Sequence, residues 1–445
     1  MRTSATPAST ADNETGPPPA RSSRRAWVVT GLLLVFMLIN FADKAVLGLA
    51  AKPIIQEFGL SPSEYGLLQS GFYALYGISA IAVGFLSNRV STKWILLVMA
   101  LVWAFTMLPV IWPVGFAVLL VSRIVLGAAE GPANPMAMHA AHKWFPNEKR
   151  SLPSALLNVG GGIGAAVAAP VLTTVIIAFG WRWAFFALFA IGIVWVLLWL
   201  VLGEEGTIAG AARDRQTSGG GIDEPHVPYR RILLSGTGFG AFFNAFVSYW
   251  GLALLISWVP PYFQIVLGYS ASETGTLLVL PWVANALFVL GQGLLSEWLM
   301  RRGVSSRLAR GVLGGVAVMI AGIAMVLFPL TAGGLQLVLM TVAFSLGAIV
   351  FAIGSTVNSE ISPARQRGAV LSIYTAAATT AGLIAPYVTG RIIEAAATPA
   401  TGYTIGFTVA GVLLLLGGLL AALIVRPERD ARRLGVDGAC EVVAR

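Results

Sequence analysis

The chain has 445 residues, of which 57% are hydrophobic and only 11% charged, whereas a soluble domain carries about a quarter charged residues. No water-exposed surface can be made from that composition, and the formal charge of +9 is explained by membrane topology and not by nucleic-acid binding. Chemistry on a substrate is also not expected, because no nucleophile and base pair and no metal cluster stands out.

Residues 1–26, rich in Pro, Ser, Thr and Ala, read as a disordered cytoplasmic tail. Arg24 and Arg25 precede an apolar run that continues to residue 50 without a convincing cleavage site, so the first helix is a signal anchor and not a removed leader. Eleven further apolar blocks follow, each of the roughly 18 to 25 residues that an α-helix needs to cross hydrocarbon. The twelve predicted cores are 27–50, 66–87, 94–112, 115–136, 151–178, 182–202, 232–257, 273–295, 309–329, 334–356, 368–390 and 403–425. Strand-type alternation is absent, which excludes a β-barrel. With the N-terminus inside, 24 of the 29 Lys and Arg fall on cytoplasmic segments, placing both termini in the cytoplasm of a multi-pass cell-membrane protein.

The first helix carries Asp43 and Lys44 two-thirds along its length. An ionisable residue inside a membrane costs at least about 2.5–3.5 kcal/mol, so each needs a partner or a purpose. In the fourth helix, Arg123 and Glu130 are seven residues apart, about 10.5 Å and nearly two turns, so they share one inward face. Gly127 and Gly131 flank Glu130 in a Gly-x-x-x-Gly pattern suited to close helix approach. One reading is that the four charges form a neutral quartet that merely fixes packing. The other is functional. Protonating Asp43 and Glu130 leaves two uncompensated cations, which favour an anion, and a bound anion in turn favours protonation, so the two binding events are linked.

The second half repeats the first. Gly84-Phe-Leu-Ser-Asn-Arg-Val-Ser-Thr-Lys93 corresponds to Gly293-Leu-Leu-Ser-Glu-Trp-Leu-Met-Arg-Arg302 at an offset of 209 residues. Pro146-Asn-Glu-Lys-Arg150 corresponds to Pro363-Ala-Arg-Gln-Arg367 at 217, and Pro170 to Pro386 at 216. Each match links helix n to helix n+6, a duplication typical of carriers that hold substrate between two bundles. The domains are therefore a bundle over 27–202, a polar cytoplasmic linker over 203–231, a second bundle over 232–425 and a tail over 426–445.

On these motifs the chain resembles the major facilitator superfamily over nearly its whole length, which implies an all-α integral membrane fold of twelve transmembrane helices in two six-helix pseudo-symmetric bundles. The loop with Gly84, Asn88 and Arg89, and its copy with Gly293 and Glu297, resembles that superfamily's gating loop. Asn88 stands where an acidic residue is usual and Ser91 where Gly is common. The stretch Arg123-Ile-Val-Leu-Gly-Ala-Ala-Glu130-Gly-Pro-Ala-Asn-Pro, followed by Lys143-Trp-Phe-Pro-Asn-Glu-Lys-Arg150, is similar to the helix-four region of the anion:cation symporter family. Ile39-Asn-Phe-Ala-Asp43-Lys44 resembles that family's first-helix pattern, with Lys44 where Arg is usual. The resemblance implies proton coupling at Asp43 and Glu130, anion contacts at Arg123 and a binding-site tyrosine at Tyr76, while Lys44, a further candidate substrate contact, departs from the family pattern. Lys44 offers a compact charge in place of a planar fork.

Asn158 in helix five and Tyr374 or Thr375 in helix eleven lie at corresponding depths and either line the cavity or make helix-packing hydrogen bonds. Asn285 and Gln292 in helix eight read the same two ways. Gly160-Gly-Gly162-Ile-Gly-Ala165 matches a dinucleotide fingerprint only as text, because no strand precedes it. His139 and His142 lack a third metal ligand nearby. Trp94, Trp144 and Trp181 read as interfacial anchors. Cys440 alone supports neither a disulfide nor a metal cluster. No nucleotide-binding P-loop occurs, so a gradient supplies the energy.

The expected partners are a small organic anion, such as a sugar acid or other carboxylate, together with protons and the lipid bilayer. No nucleic acid and no cofactor is expected, and the chain is expected to act as a monomer. The expected function is proton-coupled symport by alternating access. An exchange antiporter and a non-transporting receptor are the alternatives.

Overall fold

The computed structural model describes residues 21–87, 89–112, 115–145, 149–206, 226–363 and 366–436. Asn88, the N-terminal tail before residue 21, Pro146, Asn147, Glu148, Ala364, Arg365, most of the 203–231 linker, and Cys440 lie outside them.

Among the described residues, twelve helices are long and apolar enough to cross a membrane. They are α1 Arg24–Leu49, α2 Pro62–Leu86, α3 Thr92–Ile111, α4 Phe116–His142, α5 Leu152–Phe179, α6 Trp181–Leu202, α7 Gly236–Ser257, α8 Ala271–Arg301, α9 Arg307–Leu330, α10 Gly333–Glu360, α11 Arg367–Ala395 and α12 Pro399–Ile424. Several run beyond their predicted ends. α4 continues to His142 as a second segment that buries Met136, Ala137, Ala140 and Ala141, and α8 continues to Arg301 through an exposed turn in which Glu297 and Arg301 pair. α7 starts at Gly236, later than the predicted 232. A separate short helix, Tyr229–Leu233, precedes it, and Ser235 caps the new start by accepting from the Gly238 N–H.

Helix starts repeat between the halves. Ser61 and Glu64 form a capping box ahead of α2, and Ser270 and Glu273 form another ahead of α8. Each satisfies two otherwise orphaned backbone donors, and the offset is again the 209 residues of the loop repeat. The start of α3 is held by a carboxylate from beyond α6, since Glu205 accepts from the Thr92 and Lys93 N–H groups and the Thr92 hydroxyl. In the second half, Glu428 from beyond α12 accepts from the Arg307 N–H at the start of α9. A carboxylate at a helix N-terminus is favoured by the positive end of the helix dipole.

The halves meet where α2 packs along α11 and α5 along α8. Both contacts converge at one end of the molecule. A Cβ on Gly66 would lie 2.5 Å from the Pro386 carbonyl oxygen, and one on Gly275 would lie 2.6 Å from Thr173 Oγ1 and 3.1 Å from the Ala169 oxygen. These are two copies of one arrangement, a glycine early in α2 or α8 pressed against the helix that carries Pro386 or Pro170. Tyr65 donates to the Ser257 oxygen and Trp258 to the Pro386 oxygen at the same end. Toward the other end, a Cβ on Gly77 would be 3.7 Å from Ala376, and at Gly84, Gly291, Gly293 and Gly368 nothing lies within 4 Å. The two halves are therefore joined at the end near Gly66 and parted at the end near Gly84, which is also the end where α1 begins.

Trp181 is a correction to the interfacial reading. It is only 5% exposed, and its indole donates to Glu57 at 2.8 Å. Arg182 donates to the same carboxylate, so the pair ties the start of α6 to the short helix Ala51–Phe58. Trp94 is 54% exposed, as an anchor should be.

Candidate functional site

Asn40 and Lys44 are one turn apart on α1 and so share a face. Lys44 Nζ donates to Asn40 Oδ1 at 2.5 Å, Asn40 Nδ2 donates to Glu130 Oε2 at 2.9 Å, and Lys44 lies 3.3 Å from the same carboxylate oxygen. The Glu130 side chain is fully buried and Lys44 nearly so. Glu130 ends the first segment of α4, immediately before a break at Gly131 and Pro132.

The glycines around Glu130 set the distance to α2. A Cβ on Gly127 or Gly131 would lie 1.6 Å from the Phe72 oxygen or 2.0 Å from the Tyr76 oxygen, so only glycine permits this approach. α2 is interrupted over 72–75, between Pro62–Gly71 and Tyr76–Leu86. Rings from this stretch, from the segment after it and from α1 face the cations. Arg123 lies over the Phe72 ring at 5.0 Å, and Lys44 Nζ lies 4.6 Å from the Phe41 ring centre and 5.6 Å from that of Tyr76. Aromatic faces attract cations and are worth about 2 kcal/mol or more when desolvated.

Arg123 is buried, yet its guanidinium has just one hydrogen bond among the described residues, a long 3.5 Å contact to the Asp43 carbonyl oxygen. Its Nε and the Glu130 Oε1 atom are buried without a partner. Arg123, Lys44, Gln69 and Tyr73 line one small cavity together with Ser257 of α7 and Pro386 of α11. The cations thus face the seam between the halves.

Asp43 is near enough to Glu130, Arg123 and Lys44 to interact with each electrostatically, although among the described residues no hydrogen bond or ion pair joins its carboxylate to theirs. Its carboxylate lines a separate small cavity with Phe36, Trp103 and Trp195, toward α3 and α6, and Oδ1 is buried without a partner. Adjacent residues of a helix point about 100° apart, and Asp43 and Lys44 line different small cavities. The expected quartet is a Lys44–Asn40–Glu130 triad, a neighbouring Arg123 and a carboxyl on the adjoining face.

The other predicted residues separate clearly. Tyr76 is beside Lys44. Asn158 lines a cavity of about 490 Å³ that also includes Phe41, Ser248, Trp282, Asn285 and Phe351. Gln292 lines an adjoining space of about 460 Å³ at the parted end with Glu297 and Arg301, whose side chains pair along one helix face. Tyr374 belongs to helix packing, because its hydroxyl donates to the Val350 oxygen at 3.1 Å and its ring meets Phe242 edge-on. Thr375 bonds back to the Leu371 oxygen of its own helix. Gly84 and Gly293 sit at the parted end with no neighbour across, and Arg89 is exposed there. Asn40, Phe72, Tyr73 and Tyr249 are site residues that sequence reasoning missed. Asn40 was within reach, as a polar residue four before Lys44 in an apolar helix.

The twelve spans, their pairing across the seam and this buried cation site accompany a match of residues 33–348 to the Major Facilitator Superfamily. The chain belongs to the Major Facilitator Superfamily. It is 29% identical over 417 residues to the hexuronate transporter of Bacillus subtilis (strain 168), covering 89% of this chain and 94% of that protein. It is 28% identical over 382 residues to the probable anion transporter 4, chloroplastic, of Oryza sativa subsp. japonica, covering 83% of this chain and 64% of that longer protein. Among solved structures, a bacterial homolog to the human lysosomal transporter Spinster, in an inward-facing and unoccupied conformation, superimposes with a TM-score of 0.75 at 19% identity, covering 94% of this chain and 99% of that one. That likeness supports the fold. The protein is a multi-pass membrane member of this transporter superfamily.

Proposed function

We propose that this facilitator imports a small organic anion, a carboxylate, together with protons, by alternating exposure of a site between its halves. The observation that carries the reading is Arg123, a buried guanidinium nearly free of hydrogen bonds, beside a Lys44–Glu130 pair at the seam. A buried cation with unused donors is costly unless an anion joins it, and a carboxylate matches the guanidinium fork. The anion and hexuronate transporters named among the relatives have the same ligand charge.

Glu130 supplies the coupling. While ionised, it is the counter-charge of Lys44. When it takes up a proton, Lys44 loses that partner and becomes a second contact for the incoming anion. Proton and anion binding are then linked, each raising the other's affinity by the same factor. Asp43, buried without a fixed hydrogen bond at Oδ1, is the second proton carrier in this reading, acting through α1 and not through direct contact with the anion. In this reading the parted end, where the basic residues gather, faces the cytoplasm with both termini, as in an inward-open inner-membrane carrier.

Proteoliposomes with an imposed pH gradient test this directly. Glu130→Gln is expected to abolish concentrative uptake while retaining exchange of labelled for unlabelled anion across the membrane. Concentrative uptake equal to wild type would remove Glu130 from the coupling role. A requirement for counter-substrate inside the vesicle would replace symport by antiport.

A further inference from the structure

The proposed anion reading leaves the body of the substrate open, and the cavity beside the cations addresses it. Phe41 is common to both regions. Its ring carries Lys44 Nζ at 4.6 Å and also lines the 490 Å³ cavity, where it meets Trp282 edge-on at 6.0 Å. On the opposite wall Phe351 meets Tyr249 at 6.0 Å, and Tyr249 meets Tyr73 at 5.7 Å, which returns to the cavity of Arg123 and Lys44. A ligand whose carboxylate reaches the cations therefore places its body among aromatic faces.

The lining is poor in polar groups. Among the described residues no charged side chain borders the cavity, and its polar side chains other than the Trp282 indole are Asn158, Ser248, Asn285 and Ser355. Two of these are engaged: Asn158 Oδ1 accepts from Asn134 and Ser355 donates to the Phe351 oxygen. Ser248 Oγ is buried without a partner, and Asn285 has no side-chain hydrogen bond among the described residues. A six-carbon sugar acid has four or five hydroxyls, and a site built for it would offer converging partners to each. Room does not decide the matter, because about 150 Å³ of apolar space already holds a benzene ring.

We infer that the transported anion is an aromatic carboxylate with one or two hydroxyl groups, held by Phe41, Trp282 and Phe351, with Ser248 and Asn285 receiving the hydroxyl. This rests on the anion reading above and narrows it. Edge-to-face contact with a ligand ring is the geometry these side chains already adopt with one another.

The test uses the full chain in proteoliposomes with an inward proton gradient, measuring uptake of labelled 4-hydroxybenzoate and of labelled glucuronate above protein-free vesicles. The expected result is 4-hydroxybenzoate uptake at least about tenfold above glucuronate, since unmade hydrogen bonds on a buried polyol discriminate at that level or more. Trp282→Ala is expected to lower 4-hydroxybenzoate uptake by about tenfold through lost aromatic contact, and Trp282→Phe to restore most of it, which separates ring contact from a folding defect. If glucuronate enters and 4-hydroxybenzoate neither enters nor competes, the aromatic assignment is overturned and the anion reading stands. If neither acid enters, competes or raises the melting temperature, both fall.

Discussion

Helices α1 and α4 bury Asp43, Lys44, Arg123 and Glu130, whereas α7 and α10, their counterparts six helices on, bury Asn244, Ser248, Ser345 and Asn358. Among the described residues no charged side chain inside a span of the second half is buried to that degree. Two copies of one architecture have thus taken different chemistry. In the first half, ionic groups hold one another, and removing one leaves another exposed to a low-dielectric interior. In the second, neutral groups bond mostly to their own helix or remain unpartnered, as Asn244 Oδ1 and Ser248 Oγ do. The difference teaches that duplication preserved how the helices meet and left the cavity-facing positions free to diverge.

The comparison is broken most severely by Lys44→Met. It leaves Glu130 buried without its cation, a loss of about 3–5 kcal/mol, and the melting temperature in detergent should fall accordingly. Adding Glu130→Gln removes the stranded charge and should recover most of that stability without recovering uptake. A double variant as unstable as the single one would show that the pair does not act as a unit.

Next in size are the glycine contacts at the joined end. Gly66→Ala meets backbone at Pro386 and should cost about 1–3 kcal/mol. Gly275→Ala meets first the Thr173 hydroxyl, a side chain able to turn, and should cost less. The readout is labelling of a single cysteine introduced near Ser257, in a chain whose own Cys440 has been replaced. Equal labelling of both variants would mean that the halves respond alike.

In the second half, Ser248→Ala should change stability by no more than about 1 kcal/mol, because it removes an unpartnered hydroxyl and no existing hydrogen bond. It should nevertheless lower substrate uptake several-fold. The smallest effect concerns Glu205. Burial pushes its carboxyl up, but hydrogen bonds from Lys143, the Lys93 N–H and Thr92 outweigh this and hold it below its ordinary value. Its contribution is present above the unfolded value of about 4.3 and is lost as the pH falls through the lower folded value. Glu205→Gln should therefore melt lower than wild type at neutral pH, by about 1 kcal/mol typical of a helix cap, and the gap should close on acidification.

Much of this was legible in the sequence. Twelve apolar blocks give twelve spans because hydrocarbon thickness sets their length, and the Gly84/Gly293 and Pro170/Pro386 repeats anticipated which helices correspond. Arg123 and Glu130 were placed on one face by helix geometry alone. Side-chain direction is what the sequence does not show. Asp43 and Lys44 are neighbours in the chain and line different small cavities. Tyr374 sat at the right depth but turned toward α10. The capping boxes at Ser61 and Ser270 recur at the repeat offset, but their pattern is short and polar and falls between the apolar blocks.

The paired contacts at Gly66 and Gly275 stand on opposite flanks of the cavity, at one depth. A half that moves as a body cannot leave one without leaving the other, so both act as a single clasp with two teeth. Weakening either tooth lowers the barrier for the whole clasp, and the chain's turnover is then exposed to change at two positions that touch neither ligand nor charge.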